Sequence, residues 1–488
     1  MNKSVFAAKG RVRRLSLCLA AVLVCSSLSL LFPIKVKADY EIRKNRFIEV
    51  NGEKLGELAT LDYYYDNALY VSLRGFAYAL RNTDKAFSVS ISSDVVSFTT
   101  GKKSENPGSC WSEEEMAEGI RANLVRSEMY LNDKKISYPA IQAKINGETS
   151  DCFMALVDLA MIFDLHIDQK DGIILVDTSK GFAITPSEME ETGYLQGVNA
   201  FLIGDGSTGE IWYRYEADEN FAIASTTKLM TYLIIKEAIS KGEISLSDKA
   251  VIPVEAEKLS RSSDGVVPMS AGEEVSVSEL ITGMLVVSSN ECALTLATHV
   301  AGTEEAFVEK MNAMAKYLEL PNTQFYNCHG LPIYEEQLLP AKMQNQMSAD
   351  DMFTLASYIV TKYPEIYEIT SIKETSLPTL EKDIKNGNFL LYNMDEVKGL
   401  KTGTTTKSGA CLVSALPLEK DGEVHNMLIV LFGAEGSVER IRVSEIAARY
   451  VLSVFDGMDV GTSDETTIEE VPEDVDYLVR RLLRKKVG

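Results

Sequence analysis

Ser225-Thr226-Thr227-Lys228 opens an apolar run in which Leu229, Met230, Leu233, Ile234, Ala238 and Ile239 recur at helical spacing until Gly242. The periodicity predicts an amphipathic, buried helix with Ser225 at its start. Lys228 stands three positions on, so the two side chains share one face, roughly 5 to 6 Å apart at Cβ. A serine hydroxyl is a poor nucleophile until a base takes its proton. Lysine serves if its amine is uncharged, and burial, nearby positive charge and the positive end of a helix dipole all favour that state. The same four residues also describe a helix-capping serine followed by a surface lysine. The apolar surroundings of Lys228 and two later motifs separate these readings.

The first of those motifs is Ser288-Ser289-Asn290, which interrupts the apolar segment Leu280-Ile281-Thr282-Gly283-Met284-Leu285-Val286-Val287. Buried hydroxyl and amide groups are costly unless hydrogen-bonded, so this placement points into a cleft between helices. Ser288 is expected to pass a proton between lysine and a leaving amine, and Asn290 to hold a substrate amide. A helix cap at Ser288 or Ser289 is compatible with both roles. The second motif is Lys401-Thr402-Gly403-Thr404, just before a strand that begins near Cys411. Lys401 and Thr402 can bind a carboxylate, and Gly403 lets a substrate approach the backbone. The N–H groups of Ser225 and Thr404 are candidates for an oxyanion hole.

Around these motifs the chain alternates strand and helix. Ala200–Ile203 and Ile211–Tyr213 read as strands joined by the turn-rich 205–209, and Leu412–Leu416 and Met427–Phe432 as strands joined by Lys420-Asp421-Gly422. The central part is mostly helical, and Val438–Phe455 is a closing helix. Strands at both ends with helices between predict one sheet built from both termini of the domain.

With the three motifs in this order, residues 195–456 resemble the low-molecular-mass penicillin-binding proteins, the D-alanyl-D-alanine carboxypeptidases of serine peptidase family S11. The resemblance also rests on Ala224 and Leu229-Met230-Thr231 around the first motif, on Glu291, on His329-Gly330-Leu331-Pro332 and on Gly399-Leu400. It implies an α+β fold of the penicillin-binding-protein and β-lactamase type, an antiparallel sheet flanked by helices. It implies catalysis by Ser225, Lys228 and Ser288, with Asn290, Lys401, Thr402, Gly403 and Thr404 binding substrate, and no cofactor. The implied partners are peptidoglycan stem peptides, from which terminal D-alanine is released through an acyl-enzyme, and β-lactam antibiotics. The chain departs from the family's usual pattern at Ser289 (often Gly), Glu291 (commonly Asp), Cys328 (usually Pro) and Thr404 (frequently His). None of these removes a catalytic group. Too few residues follow 456 for the family's extra C-terminal β domain.

Residues 40–180 read as a separate module. A helical phrase, Val71–Leu80, precedes Phe87–Ile91 and Val95–Phe98, and a second, Phe153–Ala160, precedes His166–Asp168 and Ile173–Val176. This twice-used pattern resembles the small α+β stalk domain named after the copper amine oxidase N-terminal domain, which implies a cell-wall or surface ligand but brings no copper. Residues 103–119 read as a polar loop and Pro186–Thr192 as a connector to the peptidase domain, 190–458.

The termini differ in kind. Lys3, Lys9, Arg11, Arg13 and Arg14, an apolar stretch from Leu15 to Phe32, and Val36-Lys37-Ala38 read as a signal peptide over 1–38. That implies export across the cytoplasmic membrane to the extracellular or cell-wall face; an uncleaved anchor is the alternative. Residues 459–474 are an acidic linker. Residues 475–488 are a basic amphipathic segment that can lie on a membrane surface or dock on its own domain. The net charge of −22 argues against a nucleic-acid partner. Outside the leader stand Cys110, Cys152, Cys292, Cys328 and Cys411, an odd number that cannot pair fully; Cys110 can pair with Cys152, buried or free thiols are the favoured reading, and no spacing among them suits zinc. Two rival functions follow from the same motifs. A β-lactamase needs a deacylating carboxylate, for which Glu335-Glu336-Gln337-Leu338-Leu339 is the nearest candidate. A retired wall-binding scaffold would not need Ser225, Lys228, Ser288, Asn290 and Lys401 intact.

Overall fold

The computed structural model describes residues 41–63, 68–92, 95–117, 127–145, 149–334 and 342–457. The expectations for the leader, for Glu335–Leu339, for the acidic linker and for the basic tail lie outside the described residues. No helix among the described residues is long and apolar enough to cross a membrane.

The architecture is α+β. Its central sheet has five strands, all antiparallel to their neighbours: Glu210–Tyr215, Ala200–Asp205, Glu423–Ala434, Gly409–Lys420 and Leu400–Thr405, in that spatial order. The strands come from both ends of this part of the chain, as the sequence predicts. The three inner strands are apolar over most of their length because both faces are covered. Ala200, Leu202, Val413, Ala415, Leu428 and Val430 join the core beneath the helices, whereas Phe201, Ile203, Leu412, Leu416, Ile429 and Leu431 join a second core. The closing helix, Ser437–Phe455, packs on that second face. Helix Ala349–Lys362 packs on the first and in turn carries helix Lys228–Ser240. The latter is buried nearly all round, from Lys228 through Ile235, and ends at Gly242, whose φ of 71° suits a residue without Cβ.

The second core continues without a break into residues 41–177. Here a seven-stranded sheet is built around the hairpin Glu41–Val50 and Glu53–Tyr63, and a four-stranded sheet around Phe87–Ile91 and Val95–Thr100. Two boundaries differ from the sequence reading. Val71 and Ser72 belong to strand Ala68–Ser72, so the first helix is Leu73–Ala79, capped by the Ser72 hydroxyl. Phe153–Ala155 ends strand Thr149–Ala155, so the second helix is Leu156–Phe163. The reason is tertiary: Tyr70, Val71 and Ser72 pair with Ala155, Met154 and Phe153, which places the starts of the two repeated phrases side by side. Single-segment periodicity cannot register such a pairing. His166–Lys170 and Ile173–Asp177 form the expected hairpin.

The segment read as a polar loop contains an anchor. Trp111 is 3% exposed, stacks on Phe153 with ring centroids 5.3 Å apart, and donates its indole N–H to the Thr60 carbonyl at 2.9 Å. Arg43 lies over its outer face, 4.6 Å from the ring centroid. The connector is also more ordered than its composition suggests. Pro186–Glu191 is a short helix closed by a reciprocal cap between Thr185 and Glu188. All five described cysteines are free thiols, Cys110 and Cys152 included. Replacing Trp111 by alanine removes a stacked, hydrogen-bonded plug and is expected to cost about 3–5 kcal/mol, read as a fall in denaturant midpoint. A midpoint unchanged from wild type would show that the 103–112 segment contributes nothing to the module's core.

Candidate active site

The turn that carries Ser225 is closely packed by its neighbours. Ala224–Thr227 is a 3-10 turn rather than the first turn of the α-helix, which starts at Lys228. Ala224 takes a φ of 46°, and the Thr226 hydroxyl donates back to the Ile223 carbonyl at 2.6 Å. Two glycines press on this turn. A Cβ on Gly330 would stand 1.9 Å from the Ala224 carbonyl oxygen. One on Gly403 would stand 2.9 Å from the Ile223 oxygen and 3.0 Å from the Ser225 nitrogen. The sequence reading gives Gly403 to the substrate. In the structure the backbone it makes room for is the chain's own serine turn.

Lys228 is fully buried. Its Nζ lies 3.0 Å from Ser225 Oγ, 2.7 Å from Asn290 Oδ1 and 2.8 Å from the His329 carbonyl oxygen. Burial lowers its pKa to about 7, against a smaller opposing pull from the Glu291 carboxylate. An uncharged amine has two N–H donors and one lone pair. Two of its three neighbours, the Asn290 and His329 oxygens, can only accept, so they take both donors and leave the lone pair for the hydroxyl hydrogen of Ser225. The local geometry therefore favours a lysine that accepts from serine.

Asn290 is more committed than the sequence reading allows. Its Oδ1 accepts from Lys228, and its Nδ2 donates to the Asp264 carbonyl at 3.1 Å. Both amide atoms are thus engaged inside the chain, where the sequence reading assigns them a substrate amide. The motif sits between two helices, Val277–Val286 and Asn290–Ala301. Ser289 caps the second, its Oγ accepting from the Cys292 N–H at 3.0 Å. Ser288, half-buried, occupies the turn between them with a φ of 65°. Glu291 is buried as well, and its Oε1 accepts the backbone N–H groups of Val266 and Val267, tying that strap to the motif.

Strand Leu400–Thr405 forms the opposite wall as the last strand of the sheet. Lys401 is 2% exposed and donates to the Thr402 carbonyl at 2.9 Å. Burial, with the charges of Lys228 and Arg440, holds its pKa well below the usual lysine value. Thr402 is half-buried and Thr404 exposed. Thr404 Oγ1 donates to the Gly403 carbonyl at 2.7 Å and accepts from Arg440 Nη1 at 3.0 Å.

Direct hydrogen bonds therefore unite Ser225, Lys228 and Asn290, close packing joins Gly403 to them, and Lys401 is coupled to Lys228 by charge. The sequence reading misses four contributors: the His329 carbonyl, Gly330, Glu291 and Arg440. His329 and Gly330 lie in a phrase that stands out in sequence, but a backbone carbonyl leaves no signature there. The His329 ring is neutral, its pKa lowered to about 3 by burial and by Lys228, and its Nδ1 accepts from the Leu331 N–H at 3.2 Å. Among the described residues no cluster suited to a metal occurs.

The D-alanyl-D-alanine carboxypeptidase model of peptidase S11 matches residues 193–434, which hold every group named above except Arg440. Over these residues the chain belongs to the S11 family. Among curated S11 relatives, it is 35% identical over 245 residues to D-alanyl-D-alanine carboxypeptidase DacF of Bacillus subtilis (strain 168), covering 50% of this chain and 58% of that one. It is 32% identical over 270 residues to DacC of Escherichia coli (strain K12), covering 54% and 63%. The chain thus spans less than two thirds of the length of these S11 relatives. A crystal structure of a peptidoglycan synthesis regulatory factor (PBP3) from Streptococcus pneumoniae overlaps 53% of this chain and 74% of that one, at 28% identity and a TM-score of 0.49.

The packing at Gly403 makes a specific demand. Gly403→Ala should push the strand off the Ser225 turn and slow acylation of that serine by about 10²-fold, the size of a lost oxyanion donor, with a modest fall in thermal midpoint because the atoms in the way are backbone. Acylation at the wild-type rate would show that the close approach has no catalytic consequence.

Proposed function

We propose that this protein is a serine-type D-alanyl-D-alanine carboxypeptidase that removes the terminal D-alanine from peptidoglycan stem peptides and is acylated by β-lactams. The observation that carries this reading is the buried Lys228 amine 3.0 Å from Ser225 Oγ. Ser225 attacks the carbonyl of the penultimate D-alanine, and its proton moves to Lys228 Nζ. The N–H groups of Ser225 and Thr404 receive the developing oxyanion. Ser288 relays the proton to the leaving amine, and Lys401 with Thr402 holds the terminal carboxylate. Asn290 acts first as a support of the base. Water then releases the acyl group from Ser225.

The substrate lies outside the cytoplasmic membrane, and a leader over 1–38 supplies the route. In this reading an N-terminal module through about residue 180 precedes a peptidase unit over 190–458 and gives it a cell-wall or surface contact. The basic segment 475–488 would add a contact with the membrane surface.

A fluorescent penicillin is expected to label the full-length protein covalently, Ser225→Ala to abolish the label, and Lys228→Ala to slow it by about 10²- to 10⁴-fold. Release of D-alanine from a pentapeptide ending in D-alanyl-D-alanine, followed by mass spectrometry, tests the reaction itself. A label that survives Ser225→Ala, or a pentapeptide left whole, would overturn the assignment. Fast hydrolysis of a chromogenic cephalosporin in place of a long-lived adduct would favour a β-lactamase.

The pH dependence has a defined sign. Lys228 is a base only when unprotonated, and burial brings its pKa to about 7. Acylation should therefore rise with pH through about 7 and level off above it, the reverse of an acid-catalysed profile. A rate constant flat from about pH 5 to about pH 9 would exclude Lys228 as the base.

A further inference from the structure

The closing helix carries two buried arginines that reach in different directions. Arg440 donates to Thr404 Oγ1 at 3.0 Å and to the Gly403 carbonyl at 3.3 Å. Arg442, about 200° further round the helix, makes a paired contact with Asp158, Nε to Oδ1 at 2.8 Å and Nη2 to Oδ2 at 3.0 Å. Asp158 lies on helix Leu156–Phe163 of the N-terminal module. Both partners are buried, with side chains 5% and 2% exposed. Beyond Arg442, Glu445 accepts the Tyr138 hydroxyl at 2.5 Å and the Asn393 amide at 2.9 Å. Asn393 in turn accepts the Ser137 N–H at 2.8 Å. Apolar side chains of the module and of the helix belong to one core around these polar contacts.

We propose that the N-terminal module is a brace for the Lys401-Thr402-Gly403-Thr404 strand. Asp158 and Tyr138 fix the closing helix from one side, and Arg440 carries that position to the strand on the other. The inference rests on the reading of that strand as the substrate-binding wall. A buried charge cannot be left alone cheaply, so losing the Asp158 carboxylate drives Arg442, and the helix with it, away from its seat. The helix moves as a unit, which withdraws Arg440 from Gly403 and Thr404. Asp158, Tyr138 and Arg442 are then positioning residues: they touch neither nucleophile nor base and act through the strand. A module attached only as a spacer would have no such effect.

The test uses the full-length protein with Asp158→Asn, the milder Tyr138→Phe, and Trp111→Ala as a comparator that weakens the same module away from the helix. All are measured at a temperature where circular dichroism shows each folded. Asp158→Asn is expected to lower the second-order rate of penicillin labelling by about 10-fold, chiefly through weaker binding, with the rate at saturation nearly kept. Tyr138→Phe should give a smaller loss of the same kind. Amide exchange over 400–405 should quicken in Asp158→Asn while exchange over 200–205 stays at the wild-type level, and Trp111→Ala should alter neither rate nor exchange at these sites. Equal losses in Asp158→Asn and Trp111→Ala, or unchanged exchange over 400–405 in Asp158→Asn, would overturn the brace. If wild type takes no label, the peptidase reading fails, and the exchange comparison still decides the brace.

Discussion

The arrangement depends on one lysine amine kept out of water. A charged Lys228 in this setting would face two fixed oxygen acceptors and a serine hydroxyl with no carboxylate in direct contact, and desolvation disfavours that state. The neutral amine satisfies the same geometry and turns its lone pair toward Ser225. The surrounding architecture serves this state. A helix buried nearly all round removes solvent from Lys228, Asn290 fixes the direction of one donor, and the His329 carbonyl fixes the other. Lys401 lies in the same buried setting, and burial, with Lys228 and Arg440 nearby, depresses its basicity well below the usual lysine value.

Holding these groups in one place requires backbones to approach more closely than side chains permit. Gly330 and Gly403 bring two segments, distant in sequence, against the serine turn. The turn therefore takes its shape from outside, which is why Ser225 lies on a 3-10 segment ahead of the helix. The sheet behind it supplies rigidity. Its edge strand is paired along its length with Gly409–Lys420, and Arg440 reaches Gly403 and Thr404 from the closing helix.

Much of this was legible before any coordinates. The three motifs, four of the five strands of the central sheet (all but the edge strand Leu400–Thr405) and the closing helix follow from apolar periodicity and from the needs of a serine nucleophile without histidine. The S11 match over 193–434 confirms the family reading. What escaped has a physical pattern. The second donor site of Lys228 is a main-chain carbonyl, which no side-chain motif encodes. Arg440 and Asp158 read as ordinary charges on amphipathic helices until the fold puts them inside. The 41–63 hairpin is half polar, so its central place in a seven-stranded sheet does not show as an apolar run. Trp111 sits among Gly, Pro and acidic residues and reads as loop, whereas its ring fills a gap between strands. The helices start at Leu73 and Leu156, later than the helical phrases from Val71 and Phe153 suggest, because strand pairing overrides local propensity.

The five unpaired thiols carry a consequence for the molecule's redox behaviour. Four of them are buried, and burial pushes Cys152 to about 12 and Cys411 to about 11, so at neutral pH they are protonated and inert. No disulfide joins the described residues, so packing and hydrogen bonding hold them together, and a reducing environment would leave the described fold intact.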